Sequence, residues 1–307
     1  MNLPPLYDRW MTAALGVSVP GEARSTCEAC PTCAPHGPFH VDVRCCGHVP
    51  AQPNFVVGGV LGDPDAPGRD ALRARVAARH GVTPLGLGPT PTEAAAIAAV
   101  PFGSDPALAC PYLDRGRCGV WRHREAVCAT WFCRVDRGEV GQRAQLELRA
   151  LLQAIERALS RKLARDLGAR PEGRGPSAWG GWAGREEAYF LACAARASAM
   201  SWPEVRRVVG MEATVRLRAL QPALAARLDP ALPRGPLWRA DRVRERLADG
   251  RVRVRTWSVW DPAVLTAEED EALDAQDGLA AADRLATIGV ERLRELVDHG
   301  VLVERVV

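Results

Sequence analysis

Lysine is nearly absent from this chain of 307 residues. Lys162 is the only one, and arginine supplies the other strongly basic side chains. The formal net charge is only +3. Because proteins that bind nucleic-acid phosphates usually concentrate positive charge, we do not expect a nucleic-acid partner.

Long apolar runs are also missing. No stretch approaches the roughly 18 residues that a membrane-spanning helix needs, so we expect no membrane association. The N-terminal segment has no basic stretch ahead of an apolar core, which excludes a typical secretory signal. We therefore predict a cytoplasmic protein.

Familiar catalytic motifs are absent as well. The strand–GxGxxG–helix pattern of a Rossmann nucleotide site does not occur. No Ser/His/Asp or Cys/His nucleophile pattern stands out. The residues alone therefore predict no catalytic side chain, and they leave open whether the chain is an enzyme.

Cysteine, by contrast, is concentrated. The chain has 10 cysteines, and all of them except Cys193 fall into two groups near the N-terminus. The first group is Cys27, Cys30, Cys33, Cys45 and Cys46, and the second group is Cys110, Cys118, Cys128 and Cys133. Two-residue spacers let successive thiolates turn toward one centre, as a metal ion or an iron–sulfur cluster requires. Since cytoplasmic cysteine frameworks usually bind metal instead of forming disulfides, we predict that both groups are metal ligands.

The spacing leaves two kinds of centre open. Zinc sites usually carry paired Cys-x2-4-Cys knuckles, and the second group has at most one. The triplet Cys27, Cys30 and Cys33 resembles iron–sulfur runs, which favours a cluster over zinc. Two four-ligand centres would leave one thiol over, and Cys33 is our candidate for it. Nitrogen ligands lie in or beside the same stretches, at His36, His40, His48 and His123.

Residues between the cysteines resemble a known family. The second group reads CPYL at 110–113, RCGVW at 117–121 and WFC at 131–133, with Arg124 and Cys128 between them. This run is similar to the second half of the zinc- or iron-chelating CxxCxxCC cysteine-cluster family, and the first group resembles its first half. Here eleven residues separate Cys33 from the Cys45-Cys46 pair, and Glu125 stands where the family usually has proline. Because the family includes flagellin lysine methylases, the resemblance implies methyl transfer from S-adenosylmethionine to a protein substrate.

The predicted fold is mainly α-helical. We expect an irregular cysteine-rich domain stapled by metal (1–137), a helical domain (138–232) and a small α/β domain (233–307). The clearest element is a long helix over 140–167, with leucines at helical spacing and Gly168 as its stop. Residues 54–61 are either a strand or a buried helical turn, and 251–259 alternates like a strand.

Two local features of the sequence bear on helix ends. Thr92, with Glu93 in the first turn, is predicted to start a short alanine-rich helix. Cys128 and Cys133 are five positions apart, so they diverge by about 140° on an ideal helix. If both bind one centre, the helix must break near Phe132.

Two functions fit these observations. The first is an iron–sulfur protein that acts as a redox enzyme or, following the family resemblance, as a protein-modifying methyltransferase. The second is a non-catalytic module, stapled by zinc, that binds a partner protein through its tryptophan-bearing helices.

Overall fold

The computed structural model describes residues 2–24, 30, 32–33, 37–173, 175–229, 231–275 and 278–304. Helices account for 51% of the chain and strands for 10%, which confirms the mainly α-helical prediction. Within these described ranges, no helix is long and apolar enough to cross a bilayer.

The α-helices of the described residues are α1 (Pro5–Leu15), α2 (Asn54–Gly62), α3 (Arg69–Ala77), α4 (Pro91–Ala98), α5 (Ala126–Thr130), α6 (Gly138–Asp166), α7 (Glu186–Ala199), α8 (Trp202–Val209), α9 (Met211–Leu228), α10 (Ala267–Ala275), α11 (Ala281–Ile288) and α12 (Val290–Asp298).

The strands are short, and all of their pairings are antiparallel. They are β1 (Gln52–Pro53), β2 (Val82–Thr83), β3 (Gly86–Leu87), β4 (Leu113–Asp114), β5 (Arg117–Cys118), β6 (Leu237–Arg239), β7 (Arg244–Arg246), β8 (Val252–Val254), β9 (Ala263–Leu265) and β10 (Leu302–Glu304). They form the sheets β1-β3-β2, β4-β5, β7-β8-β9 and β10-β6.

The chain divides into two compact units. Unit 1 contains residues 1–21, 26–131 and 148–218, and unit 2 contains 22–25, 132–147 and 219–307. The three-domain division drawn from the sequence stays a prediction.

Unit 1 is built around the packing of α2 on α7. Most side chains of α2 are buried, which suits a helix that is apolar on nearly every side. A Cβ at Gly58 would lie 1.8 Å from the carbonyl oxygen of Phe190, so only glycine permits this approach of the two backbones. Trp179 packs edge-on against Tyr189 and Phe190. This tryptophan therefore belongs to the core of unit 1.

Unit 2 has its own apolar core. The core joins the inward side chains of β8, β9 and α12, among them Val252, Leu265 and Leu293. Beside it, Glu22 and Arg227 form a buried ion pair at 2.7 Å. The Nε2 group of Gln145 donates to the same carboxylate at 2.5 Å, so both buried charged groups are satisfied.

Several sequence predictions are confirmed. The long helix runs over Gly138–Asp166. Residues 54–61, which the sequence left open between a strand and a helical turn, are helical. Helix α5 ends at Thr130 with Trp131 extended, so the break near Phe132 is present.

Two predictions need correction. Thr90, not Thr92, caps α4, because Thr90 accepts from the Glu93 amide while Glu93 accepts from the Thr90 amide. The strand predicted over 251–259 is limited to Val252–Val254. Val259 is 70% exposed. The alternation of apolar residues in the sequence therefore continues beyond the residues that pair in the sheet.

Candidate metal centre

The first cysteine group lies on irregular backbone. Cys27 falls outside the described residues. The amide of Cys33 donates to the Cys30 carbonyl at 3.4 Å, and Cys33 forms a single bridge with Phe39. Further along, the amide of Cys46 donates to the Val43 carbonyl at 3.0 Å. Such local turns position the thiols without a helix or a sheet.

Cys46 and Cys110 join the two groups. The amide of Cys110 donates to the Cys46 carbonyl at 2.6 Å, and its own carbonyl accepts from Leu113 at 3.0 Å. Leu113 pairs with Cys118 across the β4-β5 hairpin. Backbone hydrogen bonds thus hold Cys46 and Cys110, which are far apart in sequence, beside Cys118.

Electrostatic interactions link these thiols. Burial raises the pKa of Cys110 to about 12, and the neighbouring Cys46 and Cys118 contribute to the rise. Burial is also the main cause that raises the pKa of Cys128 well above its ordinary value, and Glu125, Cys110 and Cys118 add to the rise. Cys110 and Cys128 resist ionisation partly because other thiols are close. We call Cys46, Cys110, Cys118 and Cys128 the four-cysteine cluster.

Glu125 sets the start of α5. Its carboxylate accepts from the amides of Val127 at 2.6 Å and Cys128 at 2.8 Å. This cap satisfies two donors that a helix N-terminus leaves open.

His48 is the nitrogen donor nearest to the described cluster thiols. Its Nε2 atom lies 3.7 Å from the sulfur of Cys128, and its buried Nδ1 atom has no hydrogen-bond partner among the described groups. Burial lowers the pKa of His48, which favours the neutral imidazole that binds metals. Ligand atoms of His48, Glu125 and Cys128 all lie within 4.8 Å of one another.

Cations lie close to these thiols. Burial lowers the pKa of Arg149, whereas Glu125 and Cys128 act to raise it. Two hydrogen bonds to Thr130, of 3.0 and 3.1 Å, fix this guanidinium. Arg75 is paired with Glu93 at 2.8 Å. The hydrogen bond to Glu93 is the main cause that raises the pKa of Arg75, and Cys110 adds to the rise.

Arg75 and Arg149 are not adjacent to any cysteine in sequence. Arg44 and Arg124 each lie within four positions of one. Arg44 donates to the Gly116 carbonyl at 2.9 Å, and Arg124 donates to the carbonyls of Trp121, Cys128 and Asn2. These bonds anchor neighbouring loops. Arg75 lies on α3 and Arg149 lies on α6. Their positions in the sequence do not indicate that the folded chain brings them close to the thiols.

The remaining cysteines differ in their surroundings. Cys193 is fully buried in α7, and burial raises its pKa to about 12. It belongs to the helix packing of unit 1, as its isolation in sequence predicts. For Cys27, Cys30, Cys33, Cys45 and Cys133 a ligand role stays a prediction.

Comparisons with protein-family models, with curated proteins and with solved structures found no match. The resemblance to the cysteine-cluster family therefore rests on the motif residues alone.

Proposed function

We propose that this chain is a cysteine-ligated metal protein whose centre is held by Cys46, Cys110, Cys118 and Cys128. The observation that carries the proposal is the convergence of these thiols from two loops, the strand β5 and the helix α5. They come together although 72 positions separate Cys46 from Cys118.

A bound cation would explain why these thiols lie next to one another, which burial alone does not explain. Protonated thiols that oppose each other's ionisation gain nothing from being adjacent. Metal binding removes the protons and converts the repulsion into coordination, and the binding free energy also stabilises the fold. Arg149 and Arg75 supply positive charge that suits an anionic thiolate centre.

An iron–sulfur cluster is the first choice of group. The sequence spacing supports it, since Cys27, Cys30 and Cys33 resemble iron–sulfur runs and the second group has at most one Cys-x2-4-Cys knuckle. Redox activity would follow from such a cluster. Methyl transfer to a protein substrate, with S-adenosylmethionine, rests only on the family resemblance.

A zinc site is the second candidate. The compact trio of His48, Glu125 and Cys128 favours it, because nitrogen, oxygen and sulfur donors within 4.8 Å suit a single ion. In that case the zinc ion stabilises the folded structure, and the protein acts by binding a partner protein.

Metal analysis tests both forms. The full chain is purified without oxygen, and iron, zinc and acid-labile sulfide are counted per chain. Iron with equal sulfide and a brown colour support a cluster, whereas colourless protein with stoichiometric zinc supports the second candidate. Protein that carries neither and takes up neither on reconstitution would refute the proposal.

Ligand variants locate the centre. Cys118→Ser is expected to lose most of the bound metal. Cys193→Ser, which changes the fully buried thiol of α7 in the same unit, is the control. His48→Ala separates the two candidates, because it should remove zinc from the trio but leave a four-cysteine cluster loaded. Equal metal loss in Cys118→Ser and Cys193→Ser would show that the assigned ligands are wrong.

A further inference from the structure

A second candidate site lies in unit 1, in a cavity of about 380 Å³. The start of α1, the middle of α2, the end of α7 and the turn that precedes Glu125 surround it. Leu6, Phe55, Val56 and Ala194 contribute apolar wall. Ligand sites are typically concave, largely apolar and of this size, with a few polar groups that fix orientation.

His123 is one of the polar groups in the wall. Its Nε2 atom lies 2.8 Å from a carboxylate oxygen of Asp63. The hydrogen bond from His123 is the main cause that lowers the pKa of Asp63, so this acceptor is ionised. The ionised carboxylate accepts a hydrogen bond from the N–H at Nε2, so Nδ1 is the ring nitrogen left for another partner.

The Nδ1 atom of His123 is available to a ligand. A Cβ at Gly59 would lie 2.8 Å from it, so glycine on α2 gives the imidazole its place against the helix. Within the described part of the chain, no group hydrogen-bonds to Nδ1. The atom is also not among the fully buried polar atoms without partners. An oriented acceptor thus faces accessible space.

Arg122 is the second polar group. It lines the same cavity and is exposed. No residue in the described ranges forms a hydrogen bond or ion pair with its guanidinium, although its charge acts on Asp63. By contrast, Arg9 is already held by the carbonyls of Ser198 and Met200, at 2.8 and 3.3 Å. Arg122 is therefore the cation that a ligand can engage.

We propose that this cavity binds a compact, mostly apolar carboxylate that also carries a hydrogen-bond donor. The carboxylate would lie on Arg122, the donor on Nδ1 of His123, and the apolar body between Phe55 and Ala194. Guanidinium groups bind carboxylates through parallel hydrogen bonds. The site is separate from the four-cysteine cluster, and the proposal does not depend on which metal binds there.

Three related probes test the proposal on the full chain by calorimetry. Mandelate has the ring, the hydroxyl and the carboxylate, phenylacetate lacks the hydroxyl, and mandelamide lacks the charge. Mandelate should bind most tightly, and each of the other two should bind about tenfold more weakly. Equal affinity for the three probes, or no binding of mandelate at about millimolar concentration, overturns the proposal.

Variants assign the contacts. Arg122→Gln should bind mandelate no better than mandelamide, and His123→Phe should bind mandelate no better than phenylacetate. Ala194→Leu should block all three probes, whereas Ala195→Leu, the same change at an exposed position of α7, should bind them like the wild type. Unchanged binding by Ala194→Leu would place the ligand elsewhere and overturn the proposal. The comparison of the probes on the wild-type protein stands even if a variant fails to fold.

Discussion

Glu156 is a buried carboxyl group that should make the stability of unit 1 depend on pH. It is 8% exposed in α6. Its Oε1 atom accepts from the Tyr7 hydroxyl at 2.5 Å and from the Ala126 amide at 2.7 Å. Burial raises the pKa of Glu156 from 4.5 to about 8, and the charge of Glu125 adds to the rise. The folded protein therefore favours the protonated acid near neutral pH.

The sign follows from linkage. A raised pKa means that the unfolded chain loses its proton first, so this stabilising contribution is complete below 4.5 and is lost as pH rises toward 8. With these two values, the loss of unfolding free energy is about 1 kcal/mol at pH 5 and about 4 kcal/mol at pH 7.5. Glu156→Gln keeps an acceptor oxygen for Tyr7 and Ala126 but cannot ionise. It should stabilise the protein by about these amounts at the two pH values.

Urea unfolding, followed by tryptophan fluorescence, measures the effect. The difference in unfolding free energy between Glu156→Gln and the wild type should grow steadily between about pH 5 and pH 8. Glu147→Gln, on the same helix but outside this hydrogen-bond network, is the control and should show no such slope. A difference for Glu156→Gln that is negative, or that does not change with pH, would refute the assignment of a protonated buried acid.

Two further predictions concern packing and charge. Gly58→Ala should cost about 3 kcal/mol of unfolding free energy because its methyl group would meet the Phe190 carbonyl. Gly62→Ala on the same helix should be nearly neutral, because its methyl group would only contact the flexible Leu191 side chain at 3.4 Å. Comparable urea midpoints for the two variants would contradict this. Burial lowers the pKa of His299, but the hydrogen bond and charge of Asp261 outweigh it, so the pKa is raised from 6.5. This contribution to unit 2 is complete below pH 6.5 and is lost as pH rises through the folded pKa. Asp261→Asn should therefore destabilise more at about pH 5.5 than at about pH 8.5 in the same assay, and the opposite order would exclude the pairing.

The helical skeleton could be predicted because helix signals are local. The leucine spacing in α6 and the capping box at Ser201 depend on residues within one or two turns. Strands were harder to predict from the sequence. For example, β6 and β10 have only three residues each, and they pair although they are far apart in the chain. Local alternation in sequence cannot show where such a short ladder ends.

The candidate site was predictable in its chemistry but not in its grouping. Spacing predicted that both cysteine groups bear metal ligands. It could not show that Cys46 pairs with the second group, because that depends on a backbone bond from Cys110 to a carbonyl far away in sequence. His123 was predicted only as a nearby nitrogen donor, and its pairing with Asp63 depends on the end of α2, which was itself left open between strand and helix.

These outcomes share a physical cause. The residues that carry chemistry in unit 1 lie on a two-residue strand, a five-residue helix and irregular turns. Elements this short have too few internal hydrogen bonds to be stable alone. Packed helices such as α2 and α7 supply a rigid frame behind them, and backbone bonds such as that between Cys110 and Cys46 fix individual loops. A metal centre would add the remaining constraint where neither helix packing nor a sheet acts, since its binding free energy contributes directly to folding.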